Sequence, residues 1–370
     1  MSNPHGIILL GANGSGKSTL GRELARALNF VHLDVENYYF YKTDIPYTAE
    51  RPHHERNELM LSDMRKCGSF VVSGDISGWS DEFLSMFDLA VLLKAPKDVR
   101  MKRIEEREYA HWGDRVLEDG DMYESQQKFR RFAANRDVAE LERRVEKYPC
   151  PVIEIDSTED RHMSVAKIAE QYQRLFLYHY FEKSKGPLLS LSALPQEEAD
   201  TIQNRLVSEN KTFAAQRNER YLPRRKELEQ LVHKLFAEKG GKPEKETPHY
   251  FVIGECPWLA TWYEYADYIK IPIKEFDLQT VSFTYGDTFP TFSPNVADGM
   301  EYRNTAYTYE EVLEIIEKYG MPQDKWDKPV FAQPCYVEAQ VWSDEPAMRY
   351  KRVWESEVGE YEYKDDRHRP

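Results

Sequence analysis

"GIILLGANGSGKSTL", residues 6–20, runs four consecutive apolar residues into a glycine-rich turn, and the turn into the first residues of an amphipathic pattern. The apolar run reads as a buried strand, and "KSTLGRELARAL" reads as a helix with Leu20, Leu24 and Leu28 on one face. Between them Gly11, Gly16, Lys17 and Ser18 satisfy GxxxxGK[ST], in the strand-before, helix-after setting that this spacing requires. The glycines let backbone N–H groups converge on phosphate oxygens, and the helix amino terminus adds partial positive charge. Gly11, Asn13, Gly14, Ser15, Gly16, Lys17, Ser18 and Thr19 are therefore the expected nucleotide cradle. Lys17 would reach the β and γ phosphates, and the Ser18 hydroxyl would be a magnesium ligand.

Outward from the loop, strand-like and helix-like segments alternate. "FVHLD", "SFVVSGD", "DLAVLLKAP" and "CPVIEID" read as strands, and "RNELMLSDMRKC" and "KDVRMKRIEERE" as helices. This alternation predicts an α/β fold, a doubly wound parallel sheet with helices on both faces, over residues 1–183. "SKGPLLSLSALP" (184–195) breaks the pattern, and a long charged helical stretch interrupted near Pro223 follows. "GGKPEKETP" (240–248) reads as a linker. We expect residues 184–248 to be a helical connector, 249–355 a smaller α+β domain, and 356–370 a loose charged tail.

Composition narrows the function classes. The chain has 370 residues, 41% of them apolar, which suits two domains, and a formal net charge of -14 that disfavours nucleic acid as a partner and favours a small molecule. No apolar run approaches the roughly 20 residues that span a bilayer. With no signal-peptide pattern at the amino terminus, the expected location is cytoplasmic. The four cysteines show no CxxC spacing, so they predict neither a zinc site nor a disulfide framework. His53 and His54 are adjacent and read as a surface pair. Arg217, Arg220, Arg224, Arg225 and Lys226, flanked by Glu219, Glu227 and Glu229, read as a solvated helix face.

Over about its first 180 residues the chain resembles the small-molecule and nucleotide kinases of the adenylate and shikimate kinase group, and bacterial P-loop kinases labelled as AAA-family ATPases. The stretches that carry the resemblance are "GANGSGKST", "HLDVENYYF", "SFVVSGDISGW", "DLAVLLKAPKDVRMKRIEERE", "GDRVLEDGDMYE" and "CPVIEIDST". The resemblance implies an ATP-dependent, magnesium-dependent phosphotransferase acting on a small hydroxyl- or nucleotide-like acceptor. It implies that Asp34 stands near the metal and acceptor, that Glu36 shares that cleft, and that Arg103, Arg107 and Arg115 contact the nucleotide or its phosphates. The turn of Asp156, Ser157 and Thr158 is then the adenine-side loop. Arg130, Arg131 and Arg136 are further lid candidates. The sequence departs from the group at Ser73, where the second metal-binding acid would stand; Asp75, two residues on, is the candidate to serve the metal or position substrate, with a structural turn role as the alternative. The alternative is a regulatory ATPase whose nucleotide state controls a partner. Glu255, Asp287, Glu301 and Arg303 are polar candidates in a carboxyl-terminal region that carries no motif tied to chemistry.

Overall fold

The structure is a computed structural model that describes residues 4–44, 47–209, 212–325 and 333–365. It divides into two compact units, Met1–Tyr172 and Gln173–Pro370.

In the first unit β1 (His5–Gly11), β2 (Val31–Asp34), β3 (Ser69–Ser73), β4 (Phe87–Lys94) and β5 (Val152–Asp156) form a sheet of order β2-β3-β1-β4-β5. Every pairing is parallel. The helices are α1 (Lys17–Leu28), α2 (Val35–Tyr39), α3 (His53–Cys67), α4 (Asp81–Leu84), α5 (Lys97–Trp112), α6 (Tyr123–Ala134), α7 (Val138–Val145) and α8 (Arg161–Gln173). Successive strand residues point to opposite faces, so a strand buried on both must be apolar throughout. Ile8, Leu10, Phe70, Val72, Ala90 and Leu92 pack with Met60 and Met64 of α3 and Val145 of α7. Ile7, Leu9, Val71 and Val91 alternate with them and are equally buried, as are Leu20 and Leu24 of α1. The expected parallel α/β sheet is what the chain forms.

In the second unit β6 (Phe176–Glu182), β7 (His249–Ile253), β8 (Ala266–Pro272), β9 (Val281–Thr284) and β10 (Glu338–Val341) form a sheet of order β8-β6-β7-β10-β9. All its pairings are antiparallel. Its helices are α9 (Gln196–Glu209), α10 (Tyr221–Glu238), α11 (Pro257–Ala260), α12 (Thr288–Thr291), α13 (Tyr309–Tyr319) and α14 (Ala347–Asp365).

Three sequence expectations differ from this picture. The boundary expected after residue 183 falls after Tyr172, because "FLYHYFE" (176–182) is a strand whose partners, β7 and β8, lie far along the chain. The stretch expected as a connector belongs to the second unit, since Leu228, Val232 and Phe236 of α10 pack with Phe292, Ala306 and Trp342. Its interruption precedes Pro223, which sits in the first turn of α10, where a missing N–H costs nothing. Residues 356–365, expected to be loose, continue α14. Among the described residues no helix is long and apolar enough to cross a membrane.

Candidate functional site

The loop from Gly11 to Gly16 joins the carboxyl end of β1 to α1, and its glycines are demanded by contacts as well as by conformation. Gly14 has φ +82°, and a Cβ there would stand 2.5 Å from the Arg100 carbonyl oxygen. A Cβ on Gly11 would stand 2.6 Å from the Leu93 carbonyl oxygen. Ser15 is fully buried, and its hydroxyl has no hydrogen-bond partner.

Lys17 Nζ donates to the carbonyl oxygens of Gly11 at 2.9 Å and Ala12 at 3.1 Å. Burial pushes this ammonium down to about pKa 8; Glu36 and Asp34 pull it back up, and Arg107 and Arg136 add to the downward push. Those five side chains therefore share one electrostatic environment, although Arg107 is itself exposed. Asp34 ends β2 and caps α2, accepting from the Glu36 N–H at 3.2 Å. Capping occupies one carboxylate oxygen and leaves lone pairs on both. Tyr47 is also held in this environment, its phenol pushed up to about 12 by burial, by Glu36 and by its hydrogen bond to Glu36.

Arg103 donates to Ser157 Oγ at 3.1 Å and Ser157 O at 2.7 Å, and its Nη1 would lie 3.9 Å from a Cβ on Gly16. The arginine is thus fastened to the turn that follows β5 and lies beside the phosphate loop. Asp156 accepts from Thr158 N at 2.8 Å and Thr158 Oγ1 at 2.7 Å, closing that turn. Gly11, Ala12, Lys94, Arg100, Leu141 and Asp156 help line a recess of about 510 Å³ at the carboxyl ends of β1, β4 and β5. This is the end where parallel sheets bind ligands.

The other candidates lie elsewhere or are engaged. Ser73 Oγ donates to Lys17 O at 3.1 Å and meets His32 Nε2 at 2.9 Å, so it fastens α1 to the sheet. Burial lowers the His32 pKa and keeps the ring neutral. Asp75 pairs with Arg144 at 3.0 Å and accepts from Ser77 N at 2.9 Å; burial raises its pKa, and the Ser77 and Arg144 contacts overcome that. Its oxygens tie α7 to the loop after β3. Arg115 makes a two-pronged, exposed pair with Asp121 at 2.9 and 2.7 Å. Arg130 pairs with buried Glu108 at 2.6 Å. His53 and His54 are exposed in the first turn of α3.

Two arginines that sequence reasoning passed over are buried here. Arg100, 3% exposed, donates to Asn13 O at 3.1 Å and Ala133 O at 3.3 Å, bracing the loop from below. Arg56, 4% exposed, lies between the rings of Tyr39 (4.7 Å) and Trp79 (4.3 Å), and its Nε has no partner. The available signal was aromatic density: Tyr38, Tyr39, Phe40, Tyr41, Tyr47 and Trp79 flank that segment.

Comparison with known proteins agrees with the first unit. Residues 7–128 match the family model described as "AAA domain". The uncharacterized protein YqaC of Bacillus subtilis is 36% identical over 158 residues, covering 40% of this chain and 87% of YqaC. A cytidylate kinase of Pyrobaculum islandicum is 27% identical over 122 residues, 30% of this chain and 65% of that enzyme. Among solved structures, the shikimate kinase of Acinetobacter baumannii in complex with shikimate aligns at 21% identity, covering 45% of this chain and 92% of that one, with a TM-score of 0.32. A deoxyadenosine kinase of M. mycoides aligns at 14% identity, 45% and 97%, with a TM-score of 0.26. The similarity is confined to the amino-terminal part and is to P-loop kinases.

Proposed function

Because the chain belongs through its amino-terminal unit to the family of Bacillus subtilis YqaC, built on a kinase-like P-loop nucleotide-binding fold, we propose that it is an ATP-dependent phosphotransferase. It would move the γ-phosphoryl group to a small hydroxyl- or nucleotide-like acceptor. The observation that carries the reading is the grouping of Lys17, Asp34 and Glu36, all partly buried, in one electrostatic environment at the mouth of the glycine loop. Phosphoryl transfer needs charge neutralised on the moving group and a hydroxyl held in line, and a lysine beside two carboxylates supplies both kinds of contact.

Ser18 and Asp34 offer oxygen donors of the type magnesium prefers, directly or through water, and Ser73 is spent on helix α1. When bound there, magnesium would neutralise phosphate charge. The chain's own groups do the rest. The loop's N–H groups and Lys17 would hold the phosphates, Arg103, anchored on the adenine-side turn beside the loop, would face the nucleotide, and Asp34 or Glu36 would accept the acceptor's proton. Arg56, stacked and, among the described residues, without a carboxylate partner, would grip an anionic group on the acceptor. The second unit would contribute to acceptor selection. Four free thiols suit a reducing cytoplasm.

Serine at position 73 supports a second reading, a regulatory ATPase with slow turnover whose nucleotide state controls a partner through the second unit. Counting ADP and inorganic phosphate together in the presence of a small-molecule extract separates the two. The kinase gives ADP in excess of phosphate; the regulator gives equal amounts with or without extract.

A further inference from the structure

One face of the second sheet breaks the usual pattern. In strand register Glu338 lies between Val252 and Thr284, and Gln340 between Tyr250 and Ser282. The opposite face presents Phe251, Ala339 and Phe283 to an apolar core. A sheet face under a helix should be apolar as well, yet Ser282 and Thr284 are fully buried, Gln340 is 1% exposed and Glu338 4%. Such a row persists where the chain uses it, and exceptions to burial rules concentrate at functional sites.

The groups around Glu338 come from every neighbouring element. Arg225 of α10 stacks 3.5 Å over the Tyr250 ring and donates to Glu229 at 3.3 Å and to Thr288 at 3.4 Å. Glu229 also accepts from Tyr250 OH at 2.8 Å and Ser192 Oγ at 2.7 Å. Asp287, partly exposed, accepts from Tyr336 OH at 2.9 Å. Glu338 accepts from Gln340 Nε2 at 3.0 Å, and among the described residues no cation is paired with it. Glu229, Asp287 and Glu338 thus face a single guanidinium that is already committed to Glu229.

Aromatic rings continue from this cluster to two buried donor atoms that have no partner among the described residues. Trp258 lies 6.2 Å from Tyr336 and 5.1 Å from Trp262, whose Nε1 is unsatisfied. Phe289, 5.8 Å from Arg225, stacks on Tyr221 at 4.8 Å, and Arg217 stacks on Tyr221 at 4.2 Å with its Nε unsatisfied. Tyr221, Trp258 and Phe289 keep part of their surface open.

We propose that this cluster is a second ligand site, independent of the glycine loop, that takes a small molecule joining hydroxyl or amino donors, a flat ring and an anionic group, the chemistry of a nucleoside monophosphate. Glu338 and Asp287 accept from the donors, the open rings stack on the flat ring, and Arg217 with Trp262 holds the anion. Burial and the neighbouring Asp287 raise the Glu338 pKa to about 7, while Arg225 opposes them, so its charged, acceptor-only form gains population as pH rises through neutrality.

The test uses the full chain in a Lys17→Ala background, which disables the first site, with binding of AMP, adenosine and ribose 5-phosphate measured by calorimetry. AMP is expected to bind at least tenfold more tightly than either part. Arg217→Ala should reduce AMP to the adenosine level. Glu338→Gln should weaken AMP at least fivefold at pH 8 and flatten the rise in affinity between pH 6 and 8. Arg217 is partly exposed and, among the described residues, its guanidinium makes no hydrogen bond, so its variant decides the matter if Glu338→Gln fails to fold. AMP binding no tighter than its parts, or indifferent to both substitutions, overturns the proposal and leaves the phosphotransferase reading untouched.

Discussion

Lys17 in the first unit and Glu338 in the second are opposite solutions to one problem, a buried ionisable group kept away from its ordinary pKa. Lys17 comes down to about 8 because burial strips water from an ammonium, and Glu338 goes up to about 7 because burial and Asp287 oppose a carboxylate. The lysine sits in a loop whose form is dictated by a short motif, and main-chain carbonyls hold it. The glutamate sits mid-strand in a sheet assembled from distant segments, and side chains hold it. Burying either group costs stability, and a ligand of complementary charge or hydrogen bonding offsets that cost. The difference teaches that a site built from contiguous residues announces itself in sequence, whereas one built across strands does so only in register.

The comparison breaks first at Lys17. Lys17→Ala is expected to lower turnover on the order of a thousandfold, about 4 kcal/mol of transition-state stabilisation, with the melting temperature unchanged or slightly raised. Steady-state kinetics beside a melting curve check it; an intact kcat would remove the lysine from the chemistry.

Asp34→Asn should cost about a hundredfold in kcat and leave nucleotide affinity within a few fold, because the loop's N–H groups hold phosphate without it. Equal kcat and affinity in the variant would make Asp34 a helix cap alone, the one role its bond to Glu36 N already displays. A smaller effect belongs to Arg103→Ala. Losing the link to Ser157 should raise the KM for ATP about tenfold with less change in kcat, since the arginine's two hydrogen bonds go to the turn after β5.

The smallest effect is the pH response. In the free protein Lys17 loses its proton above about pH 8, and bound phosphates would return its pKa toward the ordinary value. Nucleotide binding should therefore take up protons between about pH 8 and 10, and affinity should fall a few fold over that window. Folding runs the other way. The unfolded chain keeps the proton to higher pH, so this group's destabilising contribution is complete below about 8 and fades as pH rises toward 10.5. Calorimetry in buffers of different ionisation enthalpy measures the uptake, which Lys17→Ala should abolish.

The parallel sheet was legible because buried strands such as "GIILLG" and "LAVLLK" are apolar on both faces and the helices between them are amphipathic. The loop was legible because each of its glycines answers a local need. Ser73 drew notice as a departure from the kinase pattern, but its partners, His32 and the Lys17 carbonyl, meet only after folding. Asp75 drew notice by position, and its commitment to Arg144, 69 residues away, could not be read. Strand β6 was missed because "FLYHYFE" pairs with β7 and β8, which begin only at His249 and Ala266. Arg225 and Glu229 looked like a solvated helix face because charge at helical spacing usually is one. They are buried because α10 lies over a polar strand row, and no local pattern records what a helix will cover.

The most direct test of the phosphotransferase account follows the γ-phosphoryl group itself. Full-length protein with magnesium and ATP labelled at the γ position is incubated with a small-molecule extract, and labelled species are separated and identified by mass. The account predicts label in one compound other than ATP and inorganic phosphate, absent when Lys17→Ala replaces the native chain. Label recovered only as inorganic phosphate, at the same rate with and without extract, would contradict it and leave a nucleotide-dependent regulator in its place.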